Sequence, residues 1–311
     1  MRLRTQTPPA RHGAALLLVL WAIAVVSFAV MWVATLVNLE LDSATADAAG
    51  LRARGIALSG VAIGLHPMVK REDTELLNQD FGKGERLEVR LRGEGARFNI
   101  NALLAEQDRI ALKNLFALWG MESDEADRLI DALIDWTDGD DLRLFNGAER
   151  RDYEAAGIPD APANRAFRTV GEMAQVRGMD VLAEINPSWA DVFTIFGDGK
   201  IDVNEAPAEI LQAAAGLTPE MANQIVAWRL GPDGEESTED DIRFKSIEEL
   251  EGWLVASSLP PEQAAARLTT ESSVKRIDSR GIVGDRSILI SVVAESSAGG
   301  PQSEFLLWEE K

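Results

Sequence analysis

The stretch Ala14–Leu39, AALLLVLWAIAVVSFAVMWVATLVNL, contains no charged residue. An α-helix needs about 20 apolar residues to cross the roughly 30 Å hydrocarbon core of a bilayer, and this stretch is long enough. Basic residues precede it and Glu40 follows it, so the charge bias places the N-terminus in the cytoplasm. The sequence therefore predicts a single-pass anchor with the rest of the chain on the far side of the membrane.

A cleaved signal peptide is the alternative for this segment, because Ala44-Thr45-Ala46 resembles a small-residue cleavage site. The apolar region of a signal peptide is usually about 7–15 residues long, however, and this one is much longer. The basic leader, residues 1–13, also ends in Gly13 directly before the apolar run, where a different processing enzyme would cut. We therefore favour an anchor.

Apolar and small residues continue beyond the anchor in alternating steps of three and four. They are Leu41, Ala44, Ala48, Leu51, Gly55, Leu58, Ala62 and Leu65. This spacing predicts one narrow apolar stripe on a continuing helix. As a single element with the transmembrane part, 14–39, the helix would span 14–66 and reach about 80 Å at 1.5 Å per residue.

Strand signals occur at two distant places in the chain. Strict polar–apolar alternation over 86–92 predicts a half-buried strand, and similar signals return at 272–277, 287–295 and 303–308, with turn-type residues at 278–281 and 296–301. The chain between them has helical periodicity. The sequence predicts an α+β fold, in which the long N-terminal helix packs on a small antiparallel sheet formed by 67–97 and 272–311. A large all-α domain, 98–271 (the insert), lies between the first and second strands.

The insert contains an internal repeat. Phe98-Asn99-Ile100-Asn101 recurs as Ile201-Asp202-Val203-Asn204, and each copy precedes a helix, a Gly-hydrophobic turn and a second helix. Such units resemble the helix-hairpin-helix, which in other proteins grips DNA phosphates. Here Thr218 replaces a second turn glycine, and 51 acidic against 31 basic residues give a net charge of −20. We therefore expect no nucleic-acid partner.

Carboxylates are concentrated in the segment 135–152, which we call the acidic loop. It begins Asp135-Trp136-Thr137-Asp138-Gly139-Asp140-Asp141 and continues to Glu149 and Asp152. A hard cation that takes six to eight oxygen ligands would offset the repulsion between these groups. The EF-hand order is not met, because no Glu falls at the closing position. The pattern alone leaves a cation site and a solvated acidic loop as equal alternatives.

Residues for catalysis are scarce. The chain has no Cys and two His, and His12 lies in the leader, so histidine triads and thiol chemistry are nearly excluded. Hydrolysis by a carboxylate pair such as Asp135 and Glu149 remains conceivable, but no aromatic-lined cleft for a sugar can be inferred. We expect that the protein is not an enzyme.

The basic leader ending in glycine, followed by a helix that is half in the membrane and half on a soluble body, resembles the N-terminus of type IV pilins and pseudopilins. The resemblance implies that prepilin peptidase cuts between Gly13 and Ala14 and methylates the new N-terminus. It also predicts a Glu five residues into the mature chain, where this sequence has Leu18. That departure is typical of the K-class minor pseudopilin of type II secretion.

Further matches to the K class follow in order along the chain, at 133–153, 163–173 and 202–211. In that class calcium is held in the helical insert. The resemblance therefore implies a structural calcium ion and a set of carboxylate ligands: Asp135, Asp138, Asp140, Asp141, Glu149 and Asp152.

The resemblance also implies a role at the tip of the type II secretion pseudopilus. There the subunit would cap or initiate the filament, together with minor pseudopilins of the I and J classes, in the export of folded proteins across the outer membrane. It would reside in the inner membrane of a Gram-negative bacterium, with the bulk of the chain in the periplasm and exported proteins as further partners. The alternative is a membrane-tethered periplasmic adaptor that binds exported cargo and never enters a filament.

Overall fold

The computed structural model describes residues 12–236, 238, 240–255, 259–296 and 303–311. Residues 1–11 of the predicted leader therefore lie outside the described residues, and cleavage between Gly13 and Ala14 stays a prediction. The helices are α1 (His12–Leu65), α2 (Thr74–Leu77), α3 (Ile100–Ala105), α4 (Arg109–Leu118), α5 (Ser123–Thr137), α6 (Arg150–Ala155), α7 (Met179–Ile185), α8 (Ala208–Ala215), α9 (Pro219–Arg229), α10 (Glu251–Leu254) and α11 (Pro261–Ala266). The strands are β1 (Asn78–Gly82), β2 (Glu85–Gly93), β3 (Phe98–Asn99), β4 (Phe193–Thr194), β5 (Ile201–Asp202), β6 (Leu268–Thr269), β7 (Val274–Val283), β8 (Arg286–Ser296) and β9 (Ser303–Glu310).

Helix α1 runs unbroken through both predicted segments. Its first half carries the candidate membrane span Leu16–Val37, whose large apolar side chains, Leu18 among them, are exposed. Such length and composition are sufficient to cross a bilayer. The predicted anchor and the predicted continuation to about residue 66 are thus one helix.

The second half of α1 packs on the sheet through a face of small residues. Ala53, Ala57, Gly60 and Gly64 are buried, and a Cβ atom on Gly60 or Gly64 would overlap side chains of β2 and β7. The Ser279 hydroxyl donates to the carbonyl oxygen of Ala57 at 2.7 Å. Side-chain bulk is absent where the helix backbone must approach the strands closely, and this fixes the position of α1 across the sheet.

The predicted apolar stripe lies on a neighbouring face of α1. Of its members, Leu51, Gly55 and Ala62 are exposed and Leu58 is half-buried, whereas the side chains of residues 41 and 44 lie outside the described residues. The stripe is therefore not the surface that packs on the sheet.

The sheet has five antiparallel strands in the order β1-β2-β7-β8-β9. Its core-facing residues alternate along the strands, with Leu87, Val89, Ile277, Ile290 and Val292 buried under α1. The predicted α+β fold is confirmed. The predicted position of the insert was wrong by one strand. Strand β1 forms a hairpin with β2, so the insert lies between the second and third strands and not between the first and second. Strand β1, Asn78-Gln79-Asp80-Phe81-Gly82, lacks the alternation that marks a buried strand, so its pattern did not predict it.

The turn predicted at 278–281 was also wrong, since β7 continues to Val283 and the chain turns at Gly284. Gly281 faces α1, where a Cβ atom would overlap the carbonyl oxygen of Ala53. Polar and small residues in this strand allow the helix to approach closely. The same residue types are common in turns, and for this reason the sequence pattern predicted a turn here. The turn predicted at 296–301 falls on residues that, apart from Ser296, lie outside the described ones.

The insert leaves the sheet at the end that is farthest from the anchor. Gly60 of α1 lies against Leu87 and Val89, and Gly64 lies against Leu91, so β2 runs in the same direction as α1. The last residue of β2, Gly93, is the register partner of Lys275 near the start of β7. Both ends of the insert therefore emerge at the membrane-distal edge of the sheet. The insert has its own hydrophobic core, separate from the core under α1.

Two similar units build the insert, which we call the first repeat (98–194) and the second repeat (201–269). Each begins in a two-residue strand that pairs in parallel with a strand at its end, β3 with β4 and β5 with β6. In the first, Asn101 Nδ2 donates to the carbonyl oxygen of Phe167 at 2.9 Å and Asn101 Oδ1 accepts from its N–H at 2.8 Å. Asn204 makes the same two bonds to Phe244, at 2.9 and 2.8 Å.

Candidate metal centre

Helix α5 and the N-terminus of α6 position the acidic loop. Buried apolar residues on α5, among them Leu129, Ile130 and Leu133, pack it into the core of the insert. Asp131 and Asp135, one helical turn apart, are buried as well and lie on the same face of α5. Asp138 is the C-cap of α5 and Glu149 the N-cap of α6, so the two helix ends bring these carboxylates to the loop.

The two buried aspartates of α5 hold the loop backbone in place. Both carboxylate oxygens of Asp135 accept from the Leu144 N–H at 3.2 Å, and Asp131 accepts from the Asn146 N–H at 3.0 Å. A side chain on Gly147 would overlap the Asp135 carboxylate. Burial raises the pKa of Asp135 to about 6, and the loop N–H bonds offset part of that rise. Asp135 is therefore engaged with the backbone of the loop.

Three of the predicted ligands converge on one point. Asp138, Asp140 and Glu149 each place a carboxylate oxygen within 4.8 Å of the others. Among the residues that the structure describes, Asp138 Oδ1 and both carboxylate oxygens of Glu149 are buried without a hydrogen-bond partner. Buried oxygens of this kind are costly when unpaired, so the cluster calls for a positive charge.

Asn164, which was not among the predicted ligands, bonds to the acidic loop and carries a further buried oxygen. Its backbone is left-handed, with φ of 47°, and its Nδ2 donates to the carbonyl oxygen of Asp140 at 3.2 Å. Its Oδ1 is also buried without a partner in the described part of the chain. Asn tolerates this backbone conformation better than most residues. No sequence pattern predicts the conformation, however, and Asn164 lies 15 residues after Glu149, too far for a spacing rule to connect the two.

Carboxylates dominate the electrostatic environment of the cluster. Burial, and after it the nearby Asp135, Asp138 and Asp141, raise the pKa of Glu149 to about 7, and the Arg150 N–H offsets part of that rise. Burial and Asp140 likewise raise the pKa of Asp138. In the described residues, no Lys or Arg nitrogen lies within 4.0 Å of the carboxylates of Asp138, Asp140 or Glu149. The site thus collects negative charge that nothing within reach neutralises.

The remaining predicted ligands, Asp141 and Asp152, lie beside arginines. Asp141 is exposed and 4.0 Å from Arg150 Nε. One oxygen of Asp152 accepts from the Glu149 N–H at 3.1 Å, and the other is 3.4 Å from Arg143. The structure therefore brings together Asp138, Asp140 and Glu149, uses Asp135 to hold the loop, and leaves Asp141 and Asp152 at the periphery. A ligand role for any of the six stays a prediction.

The donor set fits a hard divalent cation. Carboxylate and amide oxygens are the ligands that Ca²⁺ prefers, and softer metals prefer His or Cys. The chain has no Cys, and His66 lies just beyond the end of α1, outside the insert. Unpaired buried oxygens and the raised pKa values of Asp138 and Glu149 are the properties expected of a cation site.

Comparisons with known proteins agree with this architecture. Residues 96–186, which include the acidic loop, match the family model described as Type II secretion system (T2SS), protein K. The Type II secretion system protein K of Pectobacterium carotovorum subsp. carotovorum is 37% identical over 76 residues, which are 24% of this chain and 22% of that relative. A chain in the crystal structure of the GspK-GspI-GspJ complex from the enterotoxigenic Escherichia coli Type 2 Secretion System matches with a TM-score of 0.63 at 18% identity, over 88% of this chain and 98% of that chain. The resemblance to the K class predicted from the sequence is confirmed, and so is the pseudopilin fold.

Proposed function

We propose that this chain is a K-class minor pseudopilin that sits at the tip of the type II secretion pseudopilus and caps or initiates it. The observation that carries the proposal is the position of the insert. Both its ends leave the sheet at Gly93 and Lys275, at the pole opposite to the anchor Leu16–Val37. A filament of this type holds its subunits by their long helices, so a further subunit above this one would need the space that the insert fills.

Partner helices have a suitable surface on α1. The stripe residues Leu51, Gly55 and Ala62 are exposed, and no other part of the described chain lies within 4 Å of a Cβ position on Gly50 or Gly55. A glycine inside a helix costs about 1 kcal/mol relative to alanine, and packing within this chain does not explain that cost. Small residues allow a second helix to approach closely. This supports minor pseudopilins of the I and J classes as the partners.

The anchor supports assembly from the inner membrane. In this proposal prepilin peptidase cuts between Gly13 and Ala14, Ala14 is methylated, and α1 remains in the bilayer with the bulk of the chain in the periplasm. Leu18 then takes the position at which most pilin subunits carry a Glu. An apolar residue there makes no acidic contact with a preceding subunit, which suits a subunit that has none above it.

The metal centre has a structural role in this proposal. Calcium bound by Asp138, Asp140, Glu149 and Asn164 would neutralise the buried charge and tie the end of α5 to the start of α6. Asp135 supports the site through the loop backbone. Because the cation holds the fold of the insert, it contributes to the bulk of the tip and takes part in no chemical step.

Two measurements test the proposal. The first is the intact mass and N-terminal sequence of the protein from its native membrane, where we expect a chain that begins with N-methylated Ala14. The second replaces residues 94–274 by Asn-Gly, which joins β2 to β7 as a hairpin between the register partners Gly93 and Lys275. We expect this variant to reach the membrane but to change the number or length of pseudopili. An uncut N-terminus together with unchanged filaments would favour the tethered adaptor.

A further inference from the structure

The acidic loop carries two large apolar side chains on its outer surface. Phe145 is 94% exposed and Leu142 is 76% exposed. A single exposed apolar residue is ordinary, but two within four positions of a loop rich in carboxylates need an explanation. Their exposure is comparable to that of the residues in the membrane anchor, although they lie at the other end of the molecule.

This exposed pair is held by a network that is elaborate for a surface loop. The N–H groups of Leu142, Leu144 and Asn146 donate to Asp140, Asp135 and Asp131, respectively. Leu144 packs against the core of the insert, and the residues on either side of it face outward. The pair is therefore presented in a fixed conformation, and little further conformational entropy is lost when a partner binds it.

Three arginines in and beside the acidic loop have weakly engaged guanidinium groups. Arg143 is 3.4 Å from Asp152, Arg177 is 4.0 Å from the same carboxylate, and Arg150 is 4.0 Å from Asp141. Each of these side chains is more than half exposed. Exposed ion pairs of this length contribute little to stability, so the arginines are free to turn toward carboxylates of another molecule.

We propose that Leu142 and Phe145 form a docking site for a folded exported protein, one that offers an apolar pocket bordered by carboxylates. Aromatic and arginine side chains around an apolar centre are the residues that dominate binding energy at protein interfaces. The inference rests on the proposed function, since a subunit at the tip of the secretion filament is the one that such a protein meets.

The size and place of the exposed pair argue for an exported protein over other occupants. Two exposed side chains offer roughly 300 Å² of apolar surface, whereas each partner in a stable interface buries about 800 Å². A contact this small suits a transient client and is insufficient for a permanent neighbour in the filament. A lipid surface is disfavoured, because the insert lies at the pole opposite to the anchor.

Site-specific photocrosslinking in secreting cells tests the docking site directly. The full chain would carry p-benzoylphenylalanine in place of Phe145, with a matched variant at Ile185, an exposed apolar residue on α7 of the same repeat. We expect adducts with exported proteins at position 145, several-fold above those at position 185. Adducts with other pseudopilins or with outer-membrane components alone, or equal yields at the two positions, would overturn the proposal.

The double substitution Leu142→Ser with Phe145→Ser tests the same point by function. We expect the rate of protein export to fall about 5- to 10-fold, which corresponds to the loss of a modest hot spot, while the number and length of pseudopili stay unchanged. The control is Ile110→Ser with Leu118→Ser, two exposed residues of α4. Normal export by the loop variant would overturn the docking site and leave the tip role intact. Loss of pseudopili in the loop variant would also overturn it, because the pair would then act in assembly.

Discussion

The two repeats of the insert differ in how they surround buried polar groups. In the second repeat, arginines lie against these groups. In the acidic loop of the first repeat, no Lys or Arg of the described part of the chain lies within 4.0 Å of Asp138, Asp140 or Glu149. Arg229 is buried and donates to the carbonyl oxygens of Val203 at 2.8 Å and Glu205 at 3.4 Å. Burial and the nearby Glu205 raise the pKa of Asp202 to about 6, and the Asn204 N–H, Arg243 and Arg71 offset part of that rise. The pKa of Glu149 is raised by burial and by acidic neighbours together.

The difference shows that two repeats with the same scaffold treat buried polar groups in two ways, with arginines of the chain in one and without them in the other. Both repeats share the parallel strand pair. Both also share an asparagine whose side chain bonds to the N–H and to the carbonyl oxygen of one phenylalanine. The second repeat contains its own cations, so its stability depends on the chain alone. In the proposed function the first repeat takes up a cation from solution, which makes its stability a function of the ion concentration around it.

Substituting Arg229 by Met has the largest expected effect. The substitution leaves two carbonyl oxygens without their donor, at a cost of about 1–3 kcal/mol for each, and removes one of the arginines that lie near Asp202. Denaturant unfolding of the full chain in detergent measures the loss, and Arg128→Met, on the exposed face of α5, is the control. If both variants unfold at the same denaturant concentration, the second repeat does not depend on its internal cation.

Removal of calcium has the next largest expected effect, and it is confined to the first repeat. At a calcium concentration 100 times the dissociation constant, the ion contributes about 2.7 kcal/mol to stability, and chelation removes this contribution. Hydrogen exchange should show lost protection over 123–167 and unchanged protection over 201–229. Asp138→Asn should abolish the response to calcium, whereas Asp141→Asn, at the periphery, should retain it. Equal exchange with and without chelator would contradict the metal centre.

The equivalence of the two repeats can be tested through Asn101 and Asn204. Replacing either by Leu leaves the N–H and carbonyl groups of the bonded phenylalanine buried without partners, so each variant should lose about 2 kcal/mol of unfolding free energy. Thermal unfolding at saturating calcium measures both. If one of the two substitutions left the free energy of unfolding unchanged, the two asparagines would be alike in geometry but would differ in their contribution to stability.

The smallest expected effect is a pH dependence that changes sign with calcium. Burial raises the pKa of Asp135 from 3.8 to about 6 and that of Glu149 from 4.5 to about 7. The metal-free folded state therefore binds more protons than the unfolded chain between about pH 4 and pH 7, and its free energy of unfolding falls as the pH rises through this window. With calcium bound, stability should rise with pH instead, since protons compete with the ion. Thermal scans at pH 5.5 and pH 7.5 distinguish the two; identical slopes would contradict the assignment.

Patterns with a single physical cause were predicted well from the sequence. The charge-free run 14–39 and the alternation over 86–92 each reflect one environment, a bilayer or a half-buried sheet, and both became the expected elements. The repeat was recognised at 98–101 and 201–204, but not at its second half. There Phe167-Arg168-Thr169-Val170 corresponds to Phe244-Lys245-Ser246-Ile247, and in both copies a Glu accepts from the N–H of the basic residue.

Features that depend on distant parts of the chain were not predictable. Ser279 and Gly281 look like turn residues because their role, the approach of α1, is set by a helix more than 200 positions away. The acidic loop showed which residues could bind a cation, but not that Asp135 would bond to the loop backbone or that Asn164 would bond to the loop. Such assignments depend on backbone direction, which composition does not contain.

The attachment of the insert at Gly93 and Lys275 also has a mechanical consequence. A pull on α1, as when a subunit is drawn out of the membrane, enters the sheet through the helix face and is borne in shear by the nine register pairs between β2 and β7 and by those between β7 and β8. The insert begins and ends at register partners on two neighbouring strands, and the hydrogen bonds between these strands bypass it. Its backbone therefore carries no tension. The insert can therefore be large, and the proposed metal centre can lose its ion, without weakening the molecule against force.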